Sequence, residues 1–545
     1  MAESTEPTGS DYLCDALAAE GVSTVFGLIG EGNAHLLDRI GEAPLPFVGA
    51  RHEQAAASMA DGYARATGSV GVCTVTHGPG VTNAATGLAC ADRDGVPLVV
   101  LVGDTTIEGR ETSLQYLDHL TVTSPVSGYG TRIESVDVLP EALSRAFDRA
   151  RTRSAPAVVE IPQDVQEGTA PERAYQPVER PQHRIRPDLD RLTEAVAVLD
   201  GADRPAILAG GGAMRADAGE GLARLAERLG APIATTYFGR GILPDSHPLV
   251  SGIGGTFMTP ASDALLPEAD TLLAVGTQLS GKITRYGDLY ADAAIVQIDV
   301  DPEAIGRHEP ADVALLGDAR VTVGALAERV TPRPDRAESV VETIRDAPEP
   351  WADGFESHPA LIDPREFTLA LSERTPDDAL VAVDSGNNTG FPAVFHEVGE
   401  GGRMLVNGNF GSMGYALPAA LGASVADSDR PVVCYIGDGA LLQVIQEIET
   451  GVRLDLPVVV ALFNDSSYGI IRHRQKREFG RETASTYDSP EFADIAEGFG
   501  ARAVTVRSVE DLDAVDEYLA GDPSTPLVLD ARTIPEVTRP GFPPY

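Results

Sequence analysis

The chain has 545 residues, with 82 Asp and Glu against 42 Lys and Arg, and a formal net charge of −40. That length suits three domains of ordinary size, and so acidic a chain argues against nucleic acid or an anionic membrane as partner. Lysine stands only at Lys282 and Lys476, and the excess acid is spread without a long run; this composition is expected of an extreme halophile, whose salt screens self-repulsion, and it implies activity that needs molar salt.

The opening MAESTEPTGS is acidic and polar, unlike a secretory or transit leader. No apolar run approaches the roughly 18 residues needed to cross a bilayer, so a soluble, cytoplasmic protein is expected. Cys14, Cys73, Cys90 and Cys434 form no CxxC pair and have apolar neighbours, as small core residues of a reducing compartment do.

In chain order, VFGLIGEGN (Val25–Asn33) comes first, followed by PFVGA (Pro46–Ala50), a strand signal. The latter leads into RHEQAAASMADGYARATG, a helix with Glu53 at its start. THGPGVTNAATGLA (Thr76–Ala89) places His77 before Gly-Pro-Gly, and SLQYLDHLT carries Gln115. Glu167–Asp190, rich in Pro, Arg, Glu and Gln, reads as a surface linker. PAILAGGG (Pro205–Gly212) and LLAVGT (Leu272–Thr277) are strand-to-turn segments of a Rossmann-like middle domain, although tight packing alone explains a glycine-rich turn. Thr331–Pro364, with six prolines and Trp351, reads as a second break.

Beyond it, a strand at Ala379–Val383 precedes Gly386, Asn387 and Asn388, and Ser412-Met413-Gly414 lies within GNFGSMGYALPAALGAS. Next come two apolar runs, Pro431–Ile436 and Pro457–Phe463, around a helix-length amphipathic segment. This is the pattern of a βαβ unit with buried parallel strands. Asp438 follows the first strand and Asp465 the second, so both emerge at one sheet edge. Adjacent strands lie about 4.8 Å apart, close enough for two carboxylates to share one hard cation. Gly437 and Gly439 leave backbone N–H groups open to a phosphate at a helix start.

This GDG–spacer–Asn-Asp pattern resembles the thiamine diphosphate (ThDP) enzymes of the acetolactate synthase, pyruvate oxidase and benzoylformate decarboxylase group. The resemblance runs from VFGLIGEGN through THGPGVTNAATGLA to GDG. It implies an α/β fold of three domains with open parallel sheets: residues 1–175 bind the pyrimidine, 190–332 form the middle domain, and 360–545 bind the diphosphate and Mg²⁺. It implies Mg²⁺ ligands at Asp438, Asp465 and the carbonyl of Ser467, although the family carries Asn where Asp465 stands. Gly386, Asn387 and Asn388 then form one diphosphate turn and Gly437, Asp438, Gly439 and Ala440 the other. Met413 wedges the cofactor into its bent shape and Gly411 offers a carbonyl to the pyrimidine amino group. Glu53 is the catalytic carboxyl that bonds the pyrimidine N1′.

Gln115 matches the glutamine of the acetolactate synthases. His77 stands where those enzymes carry a small residue, and resembles a histidine of the benzoylformate decarboxylases. It reads equally well as a structural histidine or as a group that polarises a carbonyl. Arg474, in YGIIRHRQ, is a candidate for a substrate carboxylate, with a solvated surface arginine as its rival reading. The acetolactate synthases carry an FAD-binding Arg-Phe-Asp-Asp-Arg motif where this chain reads GTQLSGKITRYGD, which weighs against FAD. The implied activity is decarboxylation of a 2-oxo acid with carboligation, two pyruvates giving 2-acetolactate and CO₂. The alternatives are a non-ligating decarboxylase or acyloin lyase, and an inactive ThDP-binding homologue. Glu53 and Asp438 belong to different domains, so a homodimer or homotetramer is implied.

Overall fold

The computed structural model describes residues 6–178, 184–521 and 523–541. Three parallel six-stranded sheets lie in chain order. The first contains β1 (Val25–Gly27), β2 (Phe47–Gly49), β3 (Gly71–Thr76), β4 (Leu98–Asp104), β5 (Tyr129–Arg132) and β6 (Pro156–Pro162), in the order β2-β1-β3-β4-β6-β5. The second contains β7 (Pro205–Ala209), β8 (Ile233–Thr235), β9 (Val250–Ile253), β10 (Thr271–Val275), β11 (Ala294–Asp299) and β12 (Val313–Leu316). The third contains β13 (Leu380–Val383), β14 (Arg403–Val406), β15 (Val432–Gly437), β16 (Val458–Asn464), β17 (Arg502–Val506) and β18 (Leu527–Arg532), ordered β14-β13-β15-β16-β18-β17. Central strands such as β4, β6 and β16 are buried throughout. Their near-continuous apolar runs fit sheets covered by helices on both faces.

The helices that bear on the site are α1 (Glu53–Thr67), α2 (Pro79–Asp94), α3 (Pro334–Asp346), α4 (Ala416–Ala426), α5 (Asp438–Val444), α6 (Glu447–Arg453) and α7 (Gly469–Phe479). His52 caps α1, its Nδ1 accepting the Gln54 N–H at 3.1 Å, and Gly68 ends it in the left-handed conformation. Helices α1 and α4 join the outer domains. A Cβ on Gly62 would lie 2.1 Å from the Ala419 carbonyl oxygen, and one on Gly422 would lie 2.0 Å from that of Met59. Glycine at both positions lets the two helix backbones touch, which locks the first and third domains into one core.

Two sequence expectations need correction. The second break is not all linker, because it contains α3, begun by Pro334. Proline at a first helical position loses no hydrogen bond, and Val340 buries itself in the middle-domain core. The single amphipathic segment after β15 is two helices, α5 and α6, divided at Ile445–Gln446. Of the first linker, residues 179–183 lie outside the described residues. All four cysteines are buried and free, and no helix among the described residues is long and apolar enough to cross a membrane.

Candidate active site

Parallel pairing puts the ends of β13 to β16 on one edge of the third sheet. The register pairs Gly437 with Phe463, so the chain leaves β15 at Asp438 beside the residues that lead to Asp465. Asp438 is 2% exposed. Its Oδ1 accepts the Gly439 N–H and the Tyr487 hydroxyl, both at 2.8 Å, and its Oδ2 accepts the Ser489 hydroxyl at 3.2 Å. Asp465 Oδ1 accepts the N–H and hydroxyl of Ser467 at 3.0 and 2.9 Å. Burial, then the Asp438 charge, pushes the Asp465 carboxyl up to about 7. The two acids meet neutral donors, and neither forms an ion pair among the described residues. Two carboxylates set side by side, Asp438 buried and Asp465 half-buried, without a guanidinium or ammonium are the donor set of a hard divalent cation. Gly439 admits the rings beside them: a Cβ there would lie 2.7 Å from the Tyr468 ring.

Asp384, fully buried at the end of β13, organises the neighbouring turns. Its carboxylate accepts N–H bonds from Ser385 at 2.9 Å, Gly414 at 3.1 Å and Ala416 at 2.8 Å. Burial pushes this carboxyl up to about 6 against the pull of those donors. Sequence reasoning missed it, although a lone acid between a buried strand and Gly-Asn-Asn was its signal. Asn388 donates to the Asp384 carbonyl at 3.1 Å, Asn387 donates to the Val537 carbonyl at 3.1 Å, and the Gly386 N–H bonds Thr389 Oγ1 at 2.9 Å. The Gly411 N–H reaches Asn407 Oδ1 at 3.3 Å. Gly386–Asn388, Gly411, Met413, Gly437–Ala440, Asp465, Ser467 and Arg474 all line one cleft of about 1870 Å³.

Glu53, His77 and Gln115 are not among the lining residues of that cleft. They gather at the carboxyl edge of the first sheet. Glu53, 7% exposed, accepts the Asn83 amide at Oε2 across 3.0 Å; Asn83 was also missed from sequence. His77 is 2% exposed, its Nδ1 3.2 Å from Thr76 Oγ1. Burial lowers its pKa, with Asp104 opposing, so the ring is neutral near pH 7. The main chain of Gln115 abuts Gly78, whose Cβ would lie 2.5 Å from the Gln115 carbonyl. Beside this edge Ile29, Leu114 and Tyr116 are exposed, and beside the third-sheet edge Phe410, Leu442 and Ile471 are.

Models of the thiamine pyrophosphate enzymes match in the same order as the sheets: the N-terminal TPP-binding domain over 7–122, the central domain over 192–326 and the C-terminal TPP-binding domain over 384–531. A probable acetolactate synthase large subunit of Methanocaldococcus jannaschii is 32% identical over 98% of this chain and 93% of that protein. The acetolactate synthase isozyme 3 large subunit of Escherichia coli is 32% identical over 93% and 91% of the two chains. The large subunit of Corynebacterium glutamicum is 31% identical over 96% and 86%. The chain belongs to the thiamine pyrophosphate enzymes.

Thiamine diphosphate and Mg²⁺ are therefore its cofactors, and the third-sheet edge fits them: two carboxylates without an ion pair for the metal, and two glycine-containing turns, Gly386–Asn388 and Gly437–Ala440, lining the same cleft for a diphosphate. In this ThDP enzyme the cleft also runs past the ends of β7 and β11, where Gly211, Arg215 and Asp299 line it. The glycines there answer to packing, since a Cβ on Gly212 would lie 2.7 Å from Gly276 Cα. Arg474, on α7, lines the cleft and pairs with Glu478 one turn along at 2.9 Å.

Proposed function

We propose that this ThDP enzyme is a 2-oxo acid carboligase of the acetolactate synthase type, forming 2-acetolactate and CO₂ from two pyruvates. The observation that carries it is the pair of carboxylates Asp438, buried, and Asp465, half-buried, which form no ion pair among the described residues and face the cleft that also receives Met413. The acetolactate synthase relatives and the Gln115 match choose the reaction. Bound ThDP would supply the nucleophilic carbon and the electron sink that decarboxylation of a 2-oxo acid requires.

The chain's own residues do the rest in this reading. Asp438, Asp465 and the Ser467 carbonyl hold Mg²⁺; Gly386, Asn387, Asn388, Gly437, Gly439 and Ala440 turn their backbone toward the diphosphate. Met413 and Gly411 orient the pyrimidine, and Glu53 holds a proton at its carboxyl for the ring nitrogen, its other contact fixed by Asn83. Gln115 meets substrate, and His77, neutral and beside the Gly78 turn, is the candidate for polarising a carbonyl. Glu53 and the metal edge do not share one cleft within a chain, and each edge carries exposed apolar side chains. A homodimer, or a tetramer built from it, is the active unit, one copy supplying Glu53 and the other the metal edge. The domain limits in this reading are 1–175, 190–332 with α3 packed on it, and 360–545.

The test is product analysis by NMR, with protein in molar KCl, ThDP and Mg²⁺. Pyruvate, 2-oxobutyrate, benzoylformate and phenylpyruvate are supplied singly and in pairs. Acetolactate from pyruvate is the expected result. An aldehyde or an aromatic acyloin instead moves the enzyme to the decarboxylase and lyase branch, which His77 and Arg474 favour. No turnover with any acid, while ThDP binds, identifies an inactive homologue. The absorbance spectrum of the protein as purified decides the flavin question, and no FAD band near 450 nm is expected.

Arg474→Ala is expected to raise KM for the 2-oxo acid roughly tenfold or more, the scale of a hydrogen bond to a charged group, with ThDP affinity unchanged. Unaltered saturation kinetics return Arg474 to a surface role with Glu478.

A further inference from the structure

Behind the first-sheet edge lies a buried group of charges with no part in the proposed chemistry. His119 is 1% exposed, Glu160 is fully buried and Asp104 is 2% exposed. Their three ligand atoms lie within 4.8 Å of one another. Arg132 Nε reaches Glu160 Oε1 at 2.7 Å, Arg110 Nη2 reaches it at 3.4 Å, and Arg110 Nε reaches Asp104 at 2.9 Å. Two guanidiniums already neutralise the two acids, so this is an ion-pair network rather than a cation site.

One hydrogen bond gives the network an outlet. The Gly78 N–H donates to His119 Nε2 at 2.9 Å. A nitrogen that accepts carries no proton, so the ring proton sits on Nδ1, which faces Glu160 Oε2 at 3.5 Å. The Gly78 N–H thus sets the tautomer, and Glu160, anchored by Arg132, places its charge opposite the Nδ1 proton. Gly78 caps α2 at a φ of +59°, a left-handed value that glycine holds without strain. Its Cβ position is closed by the Gln115 main chain. Two residues on, a Cβ at Gly80 would lie 3.6 Å from Glu53 Oε1. One turn further along α2, Asn83 donates to Glu53 Oε2.

We propose that His119, oriented by Glu160, is a positioning residue that holds the Gly78–Gly80 turn and, through Asn83, the Glu53 carboxylate. It does not touch substrate or cofactor. Without its acceptor the Gly78 N–H is buried and unpaired, and the turn is free to shift toward other acceptors. Such a shift moves the start of α2, and with it both the Asn83 contact and the Gln115 main chain. This inference rests on the reading of Glu53 as the catalytic carboxyl.

The test compares His119→Ala, His119→Asn and His119→Gln in the holoenzyme with ThDP, Mg²⁺ and pyruvate. A glutamine amide oxygen reaches the place of Nε2, whereas the shorter asparagine stops at the place of Nδ1. His119→Ala and His119→Asn are expected to lower kcat roughly 10- to 100-fold, the scale of a small misplacement of catalytic groups. ThDP affinity, set by the third-sheet edge, stays unchanged, and His119→Gln recovers most of kcat. Equal losses in Asn and Gln variants of equal Tm overturn the proposal, as does wild-type kcat in the Ala variant. So does a loss of kcat that merely tracks Tm across the three. Glu53→Gln run alongside separates the two readings: if it retains turnover, the reading of Glu53 fails; if it alone is inactive, only the role of His119 fails.

Discussion

Glu53→Gln is expected to lower kcat by about 10²–10⁴-fold, the usual contribution of a positioned proton-transfer group, while ThDP and Mg²⁺ bind as before. The amide keeps the side chain's shape and still accepts the Asn83 hydrogen bond at 3.0 Å, so the fold and the local packing survive. What it loses is the ionisable proton. Exchange of the cofactor's C2 proton, followed by quenched-flow NMR, should slow in parallel with turnover, because that step comes before any contact with the 2-oxo acid. Turnover lost with C2 exchange at the wild-type rate would place Glu53 later in the reaction. Lost ThDP binding would make it a structural residue at the start of α1. A mixture of Glu53→Gln and Asp438→Ala proteins gives a second measure: chains that share sites across an interface recover part of the activity when mixed, through dimers that carry one intact site.

Replacing Asp465 separates charge from coordination. Asp465→Ala should abolish Mg²⁺-dependent ThDP binding, measured by calorimetry, because it removes one of two side-chain ligands. Asp465→Asn should keep it, since an amide oxygen is also a hard ligand and the Ser467 N–H and hydroxyl still have an oxygen to bond. The same substitution removes one of two adjacent acidic groups, Asp438 being buried and Asp465 half-buried. The protein without Mg²⁺ should then melt at a higher temperature than wild type, and the gap should close as Mg²⁺ is added. Equal damage from Asn and Ala would mean that the site needs a carboxylate at 465 in addition to Asp438.

The sequence carried those features whose cause is local. Apolar runs bounded by Gly, Asp and Asn marked β15 and β16 to within a residue of their observed ends. Parallel strands joined by a helix bring their carboxyl ends to one edge, so Asp438 and Asp465 were legible as a pair before any coordinates. Glu53 at a helix start and Met413 in a Gly-rich turn were singled out by the family resemblance. Where the cause is a contact between distant segments, the sequence was silent. Thr331–Pro364 looked like a linker because its prolines are conspicuous, yet Pro334 opens a helix whose Val340 packs on a domain ended earlier in the chain. The split between α5 and α6 brings Glu447 to the Arg51 N–H at 3.0 Å, a contact that spans two domains.

By itself, then, the sequence determined the three parallel-sheet domains and the place of Asp438 and Asp465 at one sheet edge, because strand periodicity and turn residues act over a few positions. Tertiary structure alone decided the rest. Asp384 became the anchor of the Gly414 and Ala416 N–H groups only when the turn after β14 folded back across the end of β13. His119 found Gly78, and Glu160 found His119, only because β3, β4 and β6 lie side by side and end together. Such pairings pass between residues far apart in the chain, and no short pattern encodes them. Burial then gives them their strength, since a polar group removed from water must find its partner wherever the fold has put one.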